Sequence, residues 1–305
     1  MADGPNIDLI VPLFEEITAF YQAADQMGFH ALWFTEKLFS HTWMGQRGLG
    51  LDQFSALAAA AAATSRIRLG TTAPIGVPRP PILSFATDFA NLDRLSGGRL
   101  TLGLSQGDWP AEGVREHRRP RVGGRLIETI TLLKRLWSED DVSFKGSHYN
   151  LEKDSIDVRP VQAGGIAILV GGVTSASVNL AATLADGWVH PSGGIPGGAA
   201  RGCDMVRRLA SRAGRDPDFL ELGKIIHLAI DNNRGRARRR IAPLLQSFYG
   251  GYNVDSWCAF GPPAECAAFI RGFLVAGITT VMLCLVPTDV EHLERLHREV
   301  VPLLR

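Results

Sequence analysis

The chain has 305 residues, of which 46% are hydrophobic and 21% are charged, a composition typical of a globular protein with a substantial core. Its 32 lysine and arginine residues nearly balance 31 aspartate and glutamate residues, and the net charge is +1. This balance excludes the one-signed charge of a typical nucleic-acid-binding protein. No apolar run approaches the roughly 18 residues that a membrane-spanning helix requires. We therefore expect neither a nucleic acid nor a membrane as a partner.

The four cysteines are scattered along the chain, at Cys203, Cys258, Cys266 and Cys284. They lack the CxxC spacing of a zinc site, and the N-terminus lacks the apolar segment of a secretory signal. We therefore predict reduced thiols, a cytoplasmic protein and no bound metal.

Short apolar runs alternate with longer helical patterns along the first half of the chain. The predicted strands are Ile7–Val11, Ala31–Phe34, Arg68–Thr72 and Leu100–Ser105. The predicted helices are Phe14–Met27, Asp52–Thr64, Pro80–Leu95 and Arg125–Trp137. Asp52 is the expected N-cap of the second helix, and Gly97-Gly98 is expected to end the third.

The second half repeats this alternation after one interruption. Asp141–Leu151 alternates about a Lys145-Gly146 turn and predicts an inserted β-hairpin. The strands predicted after it are Ala167–Gly171, Gly187–Val189, Leu222–Ile230 and Thr279–Val286. The helices predicted between and after these strands are Ser175–Ala185, Ala199–Ala213, Ala237–Phe248, Ala264–Ala276 and Asp289–Leu304.

Strands that alternate with helices over this length predict a parallel sheet. Eight such units favour closure into a (β/α)8 TIM barrel over an open doubly wound sheet. No change in composition divides the chain. We therefore predict an α/β protein with a single domain over residues 1–305, a TIM barrel with a small inserted hairpin.

The active site of such a barrel lies at the C-terminal ends of the strands. Glu36 follows the second strand and offers either a general base or a hydrogen bond to a cofactor, with an ion pair at the rim as the alternative. His41, on the same loop, is a candidate for binding substrate or transferring a proton. His190, at the end of the sixth strand, is a further candidate of the same kind.

The segment after the fifth strand has a composition suited to anions. Gly171-Gly172 is followed by Thr174 and Ser175 at the start of a predicted helix. Free backbone N–H groups, hydroxyl groups and the positive end of the helix dipole together bind phosphate. An ordinary helix cap after a glycine-rich turn explains the same residues, and the segment does not match the dinucleotide pattern GxGxxG.

Residues 103–107 match G-x-S-x-G, the pattern around the nucleophile of many serine hydrolases. That motif requires the serine to lie on a sharp turn that leads directly into a helix. Here the sequence Asp108-Trp109-Pro110 follows instead. A hydrolase with Ser105 as its nucleophile is therefore the weakest alternative.

Residues 65–108, SRIRLGTTAPIGVPRPPILSFATDFANLDRLSGGRLTLGLSQGD, closely resemble the bacterial-luciferase-like monooxygenase family. Members of that family share an R-I-x-L-G-T strand, a proline-started helix that ends in LDxLSGGR, and the pattern LxLGxxxG. Residues 128–151, 180–188 and 261–283 resemble the same family in the same order. The resemblance implies a (β/α)8 barrel that uses reduced FMN or, in one large branch, the deazaflavin F420.

The resemblance also implies which residues bind the cofactor. It places the end of the third strand beneath the flavin ring, with a non-proline cis peptide between Thr72 and Ala73. The implied contacts with the ring and its chain are those of Thr71, Thr72, Ala73, Ser105, Gln106 and Asp108. The implied phosphate-binding residues are Gly172, Val173, Thr174 and Ser177.

The catalytic residues follow the family pattern less closely. Glu36 falls where the family has an acidic residue near the flavin, often followed by histidine, but Lys37 follows here. This departure places the role of the pair in question. Our candidates for catalysis are Glu36, Lys37 and His41.

From the resemblance we expect a monooxygenase that uses reduced FMN and O2 on a small organic substrate. A separate flavin reductase would supply the reduced FMN, and we expect a homodimer. One alternative is an F420-dependent dehydrogenase or reductase that performs hydride transfer. Another is a flavin-binding protein without turnover, because the histidine after Glu36 is missing.

Overall fold

The computed structural model describes residues 4–11, 18–35, 52–72, 81–105, 122–249 and 251–305. The strands in these ranges are β1 (Asn6–Val11), β2 (Ala31–Thr35), β3 (Arg68–Thr72), β4 (Leu100–Ser105), β5 (Val142–Lys145), β6 (Asn150–Asp154), β7 (Ala167–Gly171), β8 (Gly187–His190), β9 (Glu221–Ile230), β10 (Ala259–Gly261) and β11 (Thr280–Leu285).

The α-helices pack around these strands. They are α1 (Thr18–Met27), α2 (Gln53–Ala63), α3 (Ile82–Ser96), α4 (Val122–Ser138), α5 (Ser175–Thr183), α6 (Pro196–Arg212), α7 (Arg234–Tyr249), α8 (Val254–Trp257), α9 (Pro263–Val275) and α10 (Val290–Arg295). Among them, no helix is long and apolar enough to cross a membrane.

Eight of the strands form a closed parallel barrel. Their order around the ring is β1, β2, β3, β4, β7, β8, β9 and β11, and β11 pairs with β1 to close it. These are the eight strands that the alternation of apolar and helical segments predicts, so the predicted (β/α)8 barrel is confirmed.

The inserted hairpin is also confirmed. It consists of β5 and β6, which pair antiparallel between α4 and β7. The Glu128 carboxylate on α4 accepts hydrogen bonds from the backbone N–H groups of Ser147, His148 and Tyr149 at 2.8, 2.9 and 3.1 Å. The hairpin turn is therefore fixed to the helix that precedes it.

Two short elements were not predicted from the sequence. The four-residue helix α8 leads into β10, which pairs in parallel with the C-terminal end of β9. Three residues are too few to show an alternation of apolar and polar positions. Only the tertiary pairing identifies β10 as a strand.

Local hydrogen bonds explain where the helices begin and end. The Asp52 carboxylate accepts from the N–H groups of Phe54 (2.9 Å) and Ser55 (3.2 Å), which confirms the predicted N-cap of α2. At the end of α3, Gly97 is left-handed with φ of 69°. The Gly98 N–H then donates to the Asp93 carbonyl at 2.8 Å, so glycine ends this helix as predicted.

The C-terminal helix differs from its prediction. The sequence pattern predicts one helix over Asp289–Leu304, but α-helical geometry ends at Arg295. A π-helical turn over Leu296–Val300 and a 3-10 turn over Val301–Leu303 follow. Pro302 has no N–H group to donate to the preceding turn, so regular helical hydrogen bonding cannot continue through this residue.

A tryptophan occupies the middle of the barrel. Trp33 on β2 is buried, and its ring lies against the backbone of Gly70 on β3. A Cβ atom at residue 70 would lie 2.5 Å from that ring. The neighbouring strand is equally close, because a Cβ at Gly103 on β4 would lie 2.1 Å from the Thr71 carbonyl oxygen. The glycines of β3 and β4 therefore make room for Trp33 and for close strand packing.

Below Trp33, polar groups fill the N-terminal end of the barrel. Asp8 is fully buried and accepts hydrogen bonds from Trp33 Nε1 (2.6 Å) and His30 Nδ1 (2.7 Å). Burial by itself lowers the pKa of His30, but the hydrogen bond and charge of Asp8 outweigh it and raise that pKa. Burial, and then the charge of Asp8, raise the pKa of Glu221.

We expect Gly70→Ala to lower the free energy of unfolding by about 1–3 kcal/mol, because the added methyl group must displace the buried Trp33 ring. Chemical denaturation measures this change. The control is Gly197→Ala, where the nearest atom to a new Cβ is 3.8 Å away at the tip of Arg201. A loss in Gly70→Ala no larger than in the control would contradict the packing of Trp33 on β3.

The Asp8–His30 pair predicts a dependence of stability on pH. Because the pKa of His30 is raised in the folded protein, its contribution is complete below the unfolded pKa of about 6.5 and is lost as pH rises through the folded pKa. His30→Gln keeps an N–H donor but cannot titrate. We therefore expect wild type to exceed this variant in free energy of unfolding by more at about pH 5.5 than at about pH 9.

Denaturation of both proteins at the two pH values tests this expectation. Val161→Ala, which shortens an exposed side chain without a titratable group, is the control and should give the same difference from wild type at both. An equal difference for His30→Gln at the two pH values would show that the Asp8 pair does not favour the charged imidazole.

Candidate functional site

The C-terminal ends of neighbouring strands meet at one rim of the barrel. Thr35 of β2 pairs with Thr72 of β3, and Ser105 of β4 pairs with Gly171 of β7. Gly171 in turn pairs with Val189 of β8. The structure therefore brings together at this rim three segments that the sequence analysis assigned to a cofactor site.

Thr72 and Ser105 lie on the inner side of the barrel. Each follows by two residues a glycine that packs near Trp33, and alternate residues of a strand share a face. Both side chains are half-buried, and Thr72 Oγ1 lies 3.5 Å from the Phe34 carbonyl oxygen. These two residues are placed to contact a ligand in the barrel mouth.

Thr71 faces the other way, towards the helices. Its side chain is fully buried. The hydroxyl donates a hydrogen bond to the Gly103 carbonyl at 3.1 Å and accepts one from the Gly103 N–H at 3.0 Å. The Thr71 side chain is thus engaged in joining β3 to β4. Any contact of Thr71 with a cofactor would have to come from its backbone.

The turn after β7 depends on Gly172. This residue has φ of +134°, and a Cβ there would lie 2.7 Å from Ser177 Oγ. Its N–H donates to the Val189 carbonyl at 3.1 Å, and its carbonyl accepts from Trp188 Nε1 at 2.7 Å. Only glycine fits this conformation in this space, and both backbone groups of the turn are held by β8.

Thr174 and Ser177 form the N-terminal cap of α5. The Thr174 hydroxyl oxygen accepts from the Ser177 N–H at 3.2 Å, and the Ser177 hydroxyl donates to the Thr174 carbonyl at 3.0 Å. The first i→i−4 bond of the helix runs from Val178 N–H to Thr174 at 3.0 Å. The N–H groups of Ser175 and Ala176 precede that bond, so they are available to an anion.

These contacts refine the predicted phosphate-binding residues. Gly172 shapes the turn, while Val173 and Thr174 are exposed at the surface of the site. Ser177 is buried, and its hydroxyl lies 2.9 Å from Thr174 Oγ1. The Ser177 side chain therefore supports the cap, and the donors best placed for a phosphate are backbone N–H groups. This donor set fits a phosphate group.

A cavity of about 500 Å³ adjoins this turn, between α5 and α6. Val173, Ser175 and Asn179 line it from the α5 side, and Arg201 and Met205 line it from α6. Trp188 and His190 of β8 form part of its wall. The cavity lies outside the barrel ring, and it shares two residues with the predicted phosphate-binding segment.

His190 lines this cavity as a neutral imidazole. Burial, together with the charge of Lys224, lowers the pKa of His190 to about 4. Its Nδ1 donates to the Pro191 carbonyl at 2.9 Å, because a carbonyl can only accept. The other ring nitrogen, Nε2, is therefore an acceptor at neutral pH. The structure keeps the predicted candidate at the site but makes it an acceptor of hydrogen bonds.

A buried lysine holds the loop that follows β8. Lys224 on β9 is 1% exposed, and its Nζ donates to the carbonyls of Pro191 (2.6 Å), Gly193 (2.9 Å) and Ile225 (2.8 Å). Burial lowers its pKa to about 7, yet three carbonyl acceptors use all three protons of the ammonium form. Lys224 therefore fixes the backbone beside His190.

Several predicted site residues lie outside the described ranges. These are the three catalytic candidates and three of the implied cofactor contacts, together with the expected cis peptide after Thr72: Glu36, Lys37, His41, Ala73, Gln106 and Asp108. Their roles stay predictions. Among the described residues, no three His, Cys, Asp or Glu side chains are placed to share a metal ion.

The sequence analysis missed the wall formed by α6. Gly198, Arg201, Gly202 and Met205 share one face of that helix at spacings of three and four residues, and all line the cavity. Gly202 is required because a Cβ would lie 2.2 Å from the Trp188 ring. Two glycines four residues apart within a helix are the signal that would have indicated this close packing.

Comparison with known proteins identifies the family that this sequence matches. The model of the luciferase-like monooxygenase family matches residues 4–273. The F420-dependent glucose-6-phosphate dehydrogenase of Kineococcus radiotolerans is 27% identical over 324 residues, which cover 95% of this chain and 93% of that protein.

Solved structures share the fold. An F420-dependent secondary alcohol dehydrogenase, in complex with an F420–acetone adduct, superposes with a TM-score of 0.85 at 20% identity and covers 99% of both chains. A monooxygenase from Streptomyces bottropensis has a TM-score of 0.85 at 23% identity, covering 97% of this chain and 99% of that one. At these identities, the likeness shows a common barrel.

We expect Lys224→Met to lower the free energy of unfolding by about 2–4 kcal/mol, because it leaves buried carbonyls without a donor. The control is Lys145→Met, which removes an exposed lysine and should change the free energy by no more than about 0.5 kcal/mol. Chemical denaturation measures both. Similar values for the two variants would show that the ammonium group does not hold the loop after β8.

Proposed function

Since the chain belongs to the luciferase-like monooxygenase family, and is thus a luciferase-like oxidoreductase, we propose that it is an F420-dependent dehydrogenase. Its substrate would be a small organic molecule that carries a hydroxyl group. The observation that carries this proposal is the similarity to an F420-dependent dehydrogenase over 95% of the chain. The sequence analysis ranked reduced FMN first and F420 second; the relatives favour the second.

The described residues fit a phosphate-bearing flavin or deazaflavin. The turn at Gly172 and the start of α5 offer backbone donors to the phosphate, as argued above. Thr72 and Ser105 line the barrel mouth, where the ring would lie. The strand ends are joined by hydrogen bonds on both sides, so they hold these contacts in fixed positions.

When bound, F420 supplies a hydride acceptor for a carbon that bears a hydroxyl group. What remains for the protein is to orient the substrate, exclude water and take up the hydroxyl proton. We propose that Glu36, Lys37 and His41 accept the hydroxyl proton and contact the substrate. Glu36 directly follows Thr35, which pairs with Thr72 at the rim, so the chain enters this loop beside the proposed ring site.

The FMN-dependent monooxygenase remains the second candidate, since the family is described by that activity. The third alternative, a flavin-binding protein without turnover, is not supported, because the family and the relatives are named for enzymes. A homodimer, a cytoplasmic location and, for the FMN enzyme, a separate reductase are still predictions. Each has a direct measurement: light scattering, cell fractionation, and turnover with and without an added reductase.

We expect purified apo-protein to bind F420 more tightly than reduced FMN, because the relative that it matches over 95% of its length is named for F420. Parallel fluorescence titrations under anaerobic conditions measure the two dissociation constants. Consumption of F420 with secondary alcohols and sugar phosphates would then identify the substrate class. Tight binding of reduced FMN alone, with O2 consumption, would replace this proposal with the monooxygenase.

We further expect Gly172→Ala to weaken F420 binding by about tenfold or more, because the new methyl group meets Ser177 Oγ in a backbone conformation that alanine disfavours. Gly214→Ala is the matched control: it also has positive φ, at +73°, but has open space around it and lies away from the site. Equal affinities for the two variants would remove the Gly172 turn from the binding site.

A further inference from the structure

The cavity between α5 and α6 continues from the proposed phosphate site. Val173 and Ser175 belong to both. Val173 lies in the turn, Ser175 is the first residue of α5, and both line the cavity of about 500 Å³. A substituent attached to a phosphate that is bound at the start of α5 would therefore have this cavity directly beside it. The cavity lies outside the barrel ring, so the substrate in the barrel mouth does not occupy it.

The polar atoms that line the cavity suit an anion. Arg201 supplies a guanidinium group, while Ser175 and Asn179 supply a hydroxyl and an amide. Among the described residues that line the cavity there is no Asp or Glu. Within the described ranges no carboxylate forms an ion pair with Arg201, so its charge is available to a ligand.

The remaining lining is apolar. Val173 and Met205 are exposed at the edge of the cavity, and Trp188 forms its floor. Such a surface accommodates the methylene groups of a flexible chain while the charged groups of that chain reach Arg201. The cavity thus matches an elongated ligand that alternates carboxylates with short aliphatic segments.

We propose that this cavity binds the anionic tail of F420, beyond its phosphate. The inference rests on the proposed function and deepens it. FMN ends at its phosphate monoester, so it has nothing to place in this space. In F420 the phosphate is a diester that continues into lactyl and glutamyl groups, whose carboxylates provide the negative charges that Arg201 lacks among its neighbours.

Two variants separate the charge from the space. Arg201→Gln removes the guanidinium group. Gly198→Leu fills the cavity from the α6 side: a Cβ there has Arg201 as its nearest neighbour, at 3.9 Å, and leucine favours the helix over glycine. Arg208→Gln is the matched control, because Arg208 is an exposed arginine of the same helix that does not line the cavity.

The experiment compares F420 that carries its glutamates with F420 that lacks them, in fluorescence titrations of wild type and the three variants. We expect wild type to bind the tailed form about threefold to fivefold more tightly, as suits an exposed ion pair. Arg201→Gln and Gly198→Leu should abolish this preference, and Arg208→Gln should keep it. The preference should also shrink as salt is raised.

The outcomes distinguish this inference from the proposed function. If wild type binds both forms with equal affinity, or if Arg201→Gln lowers the affinity for both forms equally, the tail lies elsewhere. The proposal that the protein binds F420 would be unaffected by either result. Binding of neither form, with tight binding of reduced FMN, would overturn the proposed function and the tail site with it. A preference for the tailed form that Arg208→Gln also abolishes would assign the effect to the general charge of α6.

Discussion

The packing of the Trp33 indole against the bare backbone of Gly70 is the constraint on which the barrel depends. The ring needs the space that a side chain at residue 70 would take, and its Nε1 is held by the fully buried Asp8 at 2.6 Å. One side chain therefore joins three consecutive strands, β1, β2 and β3, across the interior. Because strand register is set at this level, it also determines which residues reach the rim above: Thr35 beside Thr72, and Ser105 beside Gly171.

The candidate site is built outward from that rim by backbone interactions. The Gly172 turn is held on both of its polar groups by β8, through the Val189 carbonyl and the Trp188 indole. Lys224 holds the next loop by its carbonyls. Rigid backbone suits the recognition of phosphate, because N–H donors that are already oriented lose little entropy when the anion binds.

The choice between FMN and F420 concerns what lies beyond the phosphate. At the proposed site both cofactors would present a tricyclic ring to the barrel mouth and a phosphate to the start of α5, so contacts at those places would distinguish them poorly. The α5–α6 cavity differs, since only a cofactor with a tail beyond its phosphate would extend into it. Gly202 on α6 shapes this cavity, because the absence of a side chain there allows the helix to approach Trp188 closely.

The sequence by itself determined the eight barrel strands, the inserted hairpin and the order of these elements. Eight apolar runs that alternate with helical segments predicted the eight barrel strands, and Asp52 and Gly97 marked helix ends through hydrogen bonds that span only a few residues. The resemblance of residues 65–108 to one family indicated the cofactor class. Only the tertiary structure decided that Thr71 faces the helices, that Ser177 is part of a cap, and that Arg201 and Asn179 line one cavity. Those facts depend on contacts between residues distant in sequence, such as Gly202 with Trp188, and no local pattern of apolar and polar residues carries that information.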